Sequence, residues 1–172
     1  MIEEIRRSIR DIPDFPKQGI VFRDITPVLL DSGAFRSVCD ALVDRYNGFD
    51  IDSIAGIEAR GFFFASVLAY RLGKGLIPIR KPGKLPWKTV SASYSLEYGD
   101  AAVEMHEDAV SKGDRVLLVD DLLATGGTAG AAAGLIEEME GVVAEMAFVI
   151  ELTELEGRKR LGRRPVFSLI EY

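Results

Sequence analysis

Apolar residues near the start of the chain recur at a helical spacing. Ile2, Ile5 and Ile9 are separated by charged residues, and Pro13 and Pro16 follow them. An apolar stripe at this spacing predicts an amphipathic helix, and proline cannot continue one. We therefore expect a short helix at the start of the chain that ends before Pro13.

A second stripe at helical spacing contains Phe35, Val38 and Leu42. Asp31 precedes the stripe and is a residue type that commonly caps a helix N-terminus. The pattern predicts a second helix that runs to about Tyr46, where an Asn-Gly pair follows.

The rest of the chain alternates between strand-like apolar runs and helix-like runs. The predicted strands are residues 51–57, 76–79, 115–119 and 142–150, and the predicted helices are residues 62–72 and 128–139. Strand, helix and strand in succession indicate an α/β fold with a mostly parallel central sheet flanked by helices. We expect one domain over residues 1–172.

Residues 81–100 interrupt this alternation. The segment is polar, contains two prolines and two glycines, and is about 20 residues long. A loop of this length in a compact domain is usually functional. We therefore expect a flexible flap over about residues 81–100.

Composition and charge narrow the class of protein. The chain has 48% hydrophobic and 28% charged residues, which is typical of a globular protein, and its net charge is −6. An acidic chain has no broad attraction for nucleic acid or anionic membranes, so neither partner is expected. The N-terminus lacks the apolar core of a signal peptide, and the single cysteine, Cys39, lies in an apolar pattern typical of a buried residue. These features predict a cytoplasmic protein without a disulfide.

The stretch from Val116 to Thr128 carries the candidate chemistry. An apolar strand leads to Asp120 and Asp121, and the small-residue segment 124–128, called the phosphate loop below, opens directly into a predicted helix. Backbone N–H groups at a helix N-terminus bind anions, and glycine lets the backbone approach them closely. Carboxylates beside such a loop suit hydroxyl groups rather than phosphate. The spacing therefore describes a ribose 5-phosphate site, with ordinary strand-end and helix-capping roles as the alternative.

Other nucleotide and catalytic motifs are absent from the sequence. It contains no P-loop pattern, no G-x-G-x-x-G pattern and no G-x-S-x-G elbow. The only histidine, His106, is expected at a strand end without a special role.

Several segments resemble the type I phosphoribosyltransferase family. The run VLLVDDLLATGGT at residues 116–128 is similar to the phosphoribosyl-pyrophosphate-binding motif of that family, in the form of its adenine branch. Further matches cover residues 14–27, 80–86, 94–99 and 167–172. The resemblance implies the type I phosphoribosyltransferase fold, with a small hood from about residues 1–30 plus a C-terminal segment.

The resemblance also assigns the substrate-binding residues. It implies that the ribose 5-phosphate is bound by Asp120, Asp121, Ala124, Thr125, Gly126, Gly127 and Thr128. It implies that pyrophosphate is bound by Glu58, Ala59, Arg60, Arg80, Lys81 and Lys84, with a cis Glu58–Ala59 peptide and with Lys84 reaching a neighbouring subunit. Solvated surface charges are the alternative for these basic residues.

The remaining assignments concern the flap and the base. The resemblance implies that Glu97 is catalytic, taking the proton that N9 loses, and that Tyr98 closes with it over the ribose. It implies that adenine is held by Val21, Phe22, Arg23 and Leu152, for which ordinary core positions are the alternative.

The resemblance implies a specific reaction. The 5-phosphoribosyl group of phosphoribosyl pyrophosphate passes to N9 of adenine, giving AMP and pyrophosphate, as in purine salvage. Mg²⁺ is expected as a cofactor bound mainly through phosphoribosyl pyrophosphate, with no protein residue as a metal ligand, and a homodimer is expected. The alternatives are transfer to another purine base and a non-catalytic sensor of phosphoribosyl pyrophosphate.

Overall fold

The computed structural model describes residues 2–15, 17–96 and 99–172, which fall into two units, residues 1–45 and 46–172. The elements of the first unit are α1 (Ile2–Ser8), β1 (Arg10–Pro13), β2 (Val21–Asp24), α2 (Thr26–Leu30) and α3 (Ser32–Tyr46), whose last residue belongs to the second unit. Both predicted helices of this part of the chain are confirmed. A single domain with a hood stays a prediction.

Local hydrogen bonds explain where α3 begins. The backbone N–H of Ala34 donates to Asp31 Oδ1 at 2.8 Å, so Asp31 satisfies one of the free N–H groups of the first turn. The hairpin of β1 and β2 was not predicted. The two strands pair antiparallel, with Ile12 opposite Phe22, and their short length left no clear alternation to identify them.

The second unit contains the remaining elements. They are β3 (Ser53–Ile57), α4 (Gly61–Leu72), β4 (Gly75–Ile79), β5 (Thr89–Leu96), β6 (Gly99–His106), β7 (Arg115–Leu123), α5 (Gly127–Glu138), β8 (Val142–Glu151), a 3₁₀ turn (Thr153–Leu155), α6 (Gly157–Leu161) and β9 (Val166–Glu171).

A five-stranded sheet forms the centre of this unit. Its strand order is β4-β3-β7-β8-β9, and every neighbouring pair is parallel. The middle strand β7 is apolar and buried from Val116 to Val119, as expected for a parallel strand covered on both faces. The predicted α/β fold with a mostly parallel sheet is confirmed.

Two strands of the central sheet differ clearly from the sequence predictions. β7 was expected to end at Val119 but continues to Leu123, because Leu122 and Leu123 still pair with Ile150 and Glu151 of β8. β9 was not predicted as a strand.

The expectation of a loop over residues 81–100 is wrong for residues 89–96. These form β5, which pairs antiparallel with β6 and packs against α5. The predicted position of His106 at a strand end is confirmed, since it is the last residue of β6. Glu97 and Tyr98 lie outside the described residues.

Cys39 is buried, as predicted. Across the parts of the chain that the structure describes, no helix combines the length and apolar character needed to cross a membrane.

Candidate active site

A cavity of about 460 Å³ opens at the carboxyl ends of β3, β4 and β7. Ligands of open parallel sheets bind at this edge. Its walls include Ile57, Glu58, Ala59, Arg60, Ile79, Arg80, Lys81, Tyr94, Val103, Asp120, Asp121, Leu122 and Thr128. The structure therefore brings together residues that the sequence analysis assigned to ribose and residues that it assigned to pyrophosphate.

The two aspartates lie inside β7 rather than after it. Side chains alternate across a strand, and the two carboxylates meet different neighbours. Asp121 is buried and accepts a hydrogen bond of 2.5 Å from Arg60 Nε. Asp120 accepts one of 2.8 Å from the backbone N–H of Asp121. Both carboxylates are thereby held at one end of the cavity.

The environment of Asp120 favours its neutral form. Burial raises the pKa of the Asp120 carboxyl well above its usual range, and the negative charge of Asp121 raises it further, while the hydrogen bond from the Asp121 backbone opposes both effects. A ligand that brings hydroxyl donors or positive charge to this position stabilises the ionised form of the carboxylate.

Gly61 lets the first turn of helix α4 approach Asp120 closely. It is the first residue of α4, and a Cβ atom there would lie 2.8 Å from both Asp120 Oδ1 and Val119 O. Only glycine fits this contact without a shift of backbone. The short turn between β3 and α4 thus places Arg60 beside Asp121.

The turn after β3 organises the basic side of the cavity. The Glu58–Ala59 peptide is cis, as the resemblance predicts. The Glu58 carboxylate accepts hydrogen bonds from Arg80 Nε at 2.9 Å and from the backbone N–H of Lys81 at 3.1 Å. Its side chain therefore positions these two residues after β4.

Lys84 is placed differently from the other basic residues. Its carbonyl oxygen accepts a hydrogen bond of 3.1 Å from Arg80 Nη1, and its side chain is exposed. The structure does not place Lys84 among the residues that line the cavity.

The phosphate loop forms a second, smaller cavity of about 80 Å³. Its walls are Asp120 and residues 122–129, which include Ala124, Thr125, Gly126, Gly127 and Thr128. Gly126 has φ +79° and caps α5, a conformation that favours glycine. Free N–H groups of the first turn of α5 and the hydroxyls of two threonines therefore suit an anion here.

The residues assigned to adenine fall in both units. Val21, Phe22 and Arg23 lie on β2 of the first unit, where the Phe22 ring packs edge-on against Phe15 with centroids 5.3 Å apart and Arg23 forms an ion pair with Asp11. Leu152 follows β8 in the second unit and donates its backbone N–H to Leu123 O. Joint contact of these residues with a purine stays a prediction.

Three residues around the phosphate loop were not predicted from the sequence. Tyr94 of β5 accepts a hydrogen bond of 3.0 Å from the Thr128 hydroxyl, and Gly157 and Arg160 of α6 lie against the loop backbone. Tyr94 belongs to a segment expected to be a loop. Gly157 and Arg160 have no sequence motif that links them to residues 124–128.

Comparisons with known proteins agree with this geometry. Residues 29–170 match the family model described as the phosphoribosyl transferase domain. The adenine phosphoribosyltransferase of a Roseiflexus species is 57% identical over 172 residues, covering 100% of both chains.

Solved structures are similar over the full length as well. The crystal structure of adenine phosphoribosyltransferase from Thermoanaerobacter pseudethanolicus is 53% identical, with a TM-score of 0.96 and coverage of 100% of both chains. The enzyme of that name from Saccharomyces cerevisiae, solved with an imino-altritol bisphosphate and adenine, is 41% identical, with a TM-score of 0.92 over 98% of this chain and 97% of that one.

Proposed function

This chain belongs to the adenine phosphoribosyltransferase family, and we propose from that membership and from the cavity at the end of β7 how it works in purine salvage. It transfers the 5-phosphoribosyl group of phosphoribosyl pyrophosphate to N9 of adenine. The bond between N9 and C1′ forms, the bond between C1′ and pyrophosphate breaks, and N9 loses its proton. The products are AMP and pyrophosphate.

One observation carries the proposed site for the ribose 5-phosphate. Asp120 and Asp121 stand near the end of β7, two residues before a neutral, glycine-containing loop that opens a helix. The loop offers N–H groups and hydroxyls to the 5′-phosphate. The carboxylates accept hydrogen bonds from the 2′ and 3′ hydroxyls, because the repulsion between like charges keeps them away from the phosphate.

The basic wall of the cavity binds pyrophosphate. Arg60, Arg80 and Lys81 line it, and the cis turn at Glu58 and Ala59 lies between β3 and Arg60. Cations placed where negative charge accumulates on the leaving group stabilise the transition state. Arg60 exchanges Asp121 for pyrophosphate when the substrate is bound.

Adenine and the flap complete the reaction centre. Phe22 and Leu152 hold the two faces of the purine, and the backbone groups of Val21 and Arg23 read its amino edge, since mismatched buried polar groups are costly. Glu97 takes the proton from N9. Tyr98 closes with it over the ribose and excludes water from the electron-poor C1′.

The donor set fits Mg²⁺ bound mainly through the substrate. Mg²⁺ commonly takes one or two carboxylates, substrate phosphates and water, and no cluster of three or more His, Cys, Asp or Glu with metal-ligand geometry occurs within residues 2–15, 17–96 and 99–172. Asp120 and Asp121 would help to hold the hydrated ion and would also accept hydrogen bonds from the ribose. When bound, the ion would supply positive charge to the pyrophosphate.

Two properties of the whole protein are part of the proposal. A homodimer is supported by the aromatic face of α4, where 86% of Tyr70 and 47% of Phe63 are exposed. Lys84 of each chain then serves its neighbour's site. A cytoplasmic location is supported by the substrate, because a polyanion such as phosphoribosyl pyrophosphate does not cross a bilayer unaided.

The test is product formation by purified protein with phosphoribosyl pyrophosphate and Mg²⁺. Adenine, hypoxanthine, guanine and xanthine are supplied in parallel, and an Asp121→Asn variant is the control. We expect AMP from adenine alone, lost without Mg²⁺ and strongly reduced in the variant.

Other outcomes would overturn parts of the proposal. Product from another base refutes the adenine site formed by residues 21–23 and Leu152. Binding of phosphoribosyl pyrophosphate without any product indicates a sensor instead of an enzyme.

A further inference from the structure

The side chain of Arg160 lies against the phosphate loop. A Cβ atom at Gly127 would be 3.5 Å from Arg160 Nη1, and a Cβ atom at Gly126 would be 3.3 Å from Arg160 Cβ. The side chain therefore runs along the loop, with its guanidinium beside the first residue of α5. No sequence motif assigns a role to this residue.

Helix α6 holds Arg160 in this place from two sides. A Cβ atom at Gly157 would lie 2.2 Å from Ala124 O, so the backbone of α6 touches the loop directly. On the other side, Arg158 donates to both oxygens of the buried Glu151 carboxylate, at 2.7 and 2.6 Å. A short helix fixed at both contacts presents Arg160 in a defined position.

Arg160 differs from its basic neighbours in having no acidic partner. Arg158 is paired with Glu151, and Lys159 forms an ion pair with Glu156. In the part of the chain that the structure describes, Arg160 has no ion pair or hydrogen bond. Its charge is therefore available to a ligand.

The phosphate loop itself lacks a positive charge. Residues 124–128 are neutral, and the nearest ionisable groups in the same strand-loop segment are the carboxylates of Asp120 and Asp121. Pyrophosphate is matched by Arg60, Arg80 and Lys81 in the other cavity. A phosphate dianion in the loop would otherwise be bound by backbone and hydroxyl groups alone, beside two acidic residues.

We propose that Arg160 binds the 5′-phosphate of the substrate and so selects phosphorylated over unphosphorylated ribose. The inference rests on the proposed function and adds a charged residue from α6 to the phosphate loop. A guanidinium donates several hydrogen bonds to one phosphate, and such charge-assisted bonds are stronger than neutral ones. The residue supports binding of the phosphate in both substrate and product.

The test compares Arg160→Ala with Arg163→Ala, which removes an equal charge from an exposed residue that has no ion pair among the described residues and is not placed at the loop. Calorimetry measures binding of ribose 5-phosphate, AMP and pyrophosphate to each protein. We expect Arg160→Ala to bind ribose 5-phosphate and AMP about tenfold more weakly, with pyrophosphate binding unchanged. Arg163→Ala should match the wild type.

Steady-state kinetics and a conservative variant test the same contact independently. Arg160→Ala should raise KM for phosphoribosyl pyrophosphate with little change in kcat, because the contact is equal in ground and transition states. Arg160→Lys keeps the charge but not the planar fork, and should fall between wild type and alanine.

Two outcomes overturn the proposal. One is equal weakening of ribose 5-phosphate and pyrophosphate binding, and the other is unaltered binding of all three ligands. If the wild type binds AMP and ribose 5-phosphate but makes no AMP, the proposed function fails while this comparison still decides the role of Arg160.

Discussion

Gly157 lies where helix α6 meets the backbone of the phosphate loop. A Cβ atom there would be 2.2 Å from Ala124 O and 3.0 Å from Leu123 Cδ1. We expect Gly157→Ala to displace either the loop or the helix, since the closer of the two contacts is with a backbone oxygen, which cannot move aside as a side-chain end can. The cost should be about 1–3 kcal/mol of unfolding free energy, as for other overpacked sites.

The displacement should also affect the substrate. KM for phosphoribosyl pyrophosphate is expected to rise in Gly157→Ala, whereas calorimetry should show little change in pyrophosphate binding, because Arg60, Arg80 and Lys81 lie in the other cavity. Denaturant unfolding and steady-state kinetics measure the two effects. Wild-type values for both would mean that α6 does not position the loop.

The candidate site residues that could be predicted from the sequence are those that lie close together along the chain. Asp120, Asp121 and the phosphate loop form one contiguous run, so strand pattern, carboxylates and glycines are read together. Gly157 and Arg160 reach the same loop only through tertiary packing of α6. No local spacing carries that information, which is why both were missed.

At the scale of elements, the buried Glu151 carboxylate ties β8 to α6 and β9. It accepts hydrogen bonds from Arg158 and from the Ser168 hydroxyl. Burial raises the pKa of Glu151, but the bonds from Arg158 and Ser168 and the charge of Arg158 outweigh burial and leave the pKa below its usual 4.5. The folded state therefore favours the ionised form.

A pH dependence of stability follows from this lowered pKa. The stabilisation is complete above the unfolded pKa of about 4.5, and it is lost as pH falls through the lower folded pKa. The difference in unfolding free energy between wild type and Glu151→Gln should be largest near pH 7 and shrink below pH about 4.5. Urea unfolding between about pH 7 and 3 measures it.

Glu154→Gln is the control for this experiment. Glu154 is exposed and has no ion pair within the described residues, so its replacement should leave stability nearly unchanged at every pH. A Glu151→Gln difference that stays constant with pH would refute the role given to the ionised carboxylate.

Helix α5 contains a glycine that neither the phosphate loop nor packing requires. A Cβ atom at Gly134 would have no heavy atom within 4 Å outside its own neighbourhood in the helix. We expect Gly134→Ala to raise the free energy of unfolding by about 0.5–1 kcal/mol, because alanine loses less conformational entropy in a helix. Equal activity and a higher denaturation midpoint would support this. Lower stability would show that α5 needs flexibility at this position.

The elements predicted best were those with long, regular apolar patterns. α3, α4, α5 and the buried parts of β3, β7 and β8 were all identified, because burial on one stripe or on both faces leaves a clear pattern. β5 was missed, since its polar residues 91, 93 and 95 suggest a loop when the partner strand is unknown. Register with β6 and packing on α5, rather than apolar character, define it as a strand.

At the scale of the whole molecule, the net charge of the chain is opposite in sign to the basic side chains that line the cavity. The chain carries a net charge of −6, yet its substrate is a polyanion. In the proposed site, binding depends on local cations, namely Arg60, Arg80 and Lys81 along the cavity, with no general attraction to the protein surface. Raising the ionic strength should consequently weaken substrate binding less than it would for a site that uses long-range attraction.

The proposed homodimer leads to the final prediction. Phe63 and Tyr70 are seven residues apart on α4 and lie on the same side of that helix, where Tyr70 is largely exposed and Phe63 about half exposed. Large aromatic side chains at such a surface favour association. We expect Tyr70→Asp to shift the protein from dimer to monomer, because a charge buried at an interface without a partner is costly.

Light scattering after gel filtration measures the shift over a range of protein concentrations, and activity per chain is recorded in parallel. Leu30→Asp is the matched control, since Leu30 is 90% exposed on α2 and is not part of the α4 face. If Lys84 serves the neighbouring site, the monomeric Tyr70→Asp variant should lose activity with a raised KM for phosphoribosyl pyrophosphate. A fully active monomer would instead show that Lys84 acts within its own chain or not at all, and dissociation by Leu30→Asp alone would place the interface away from α4.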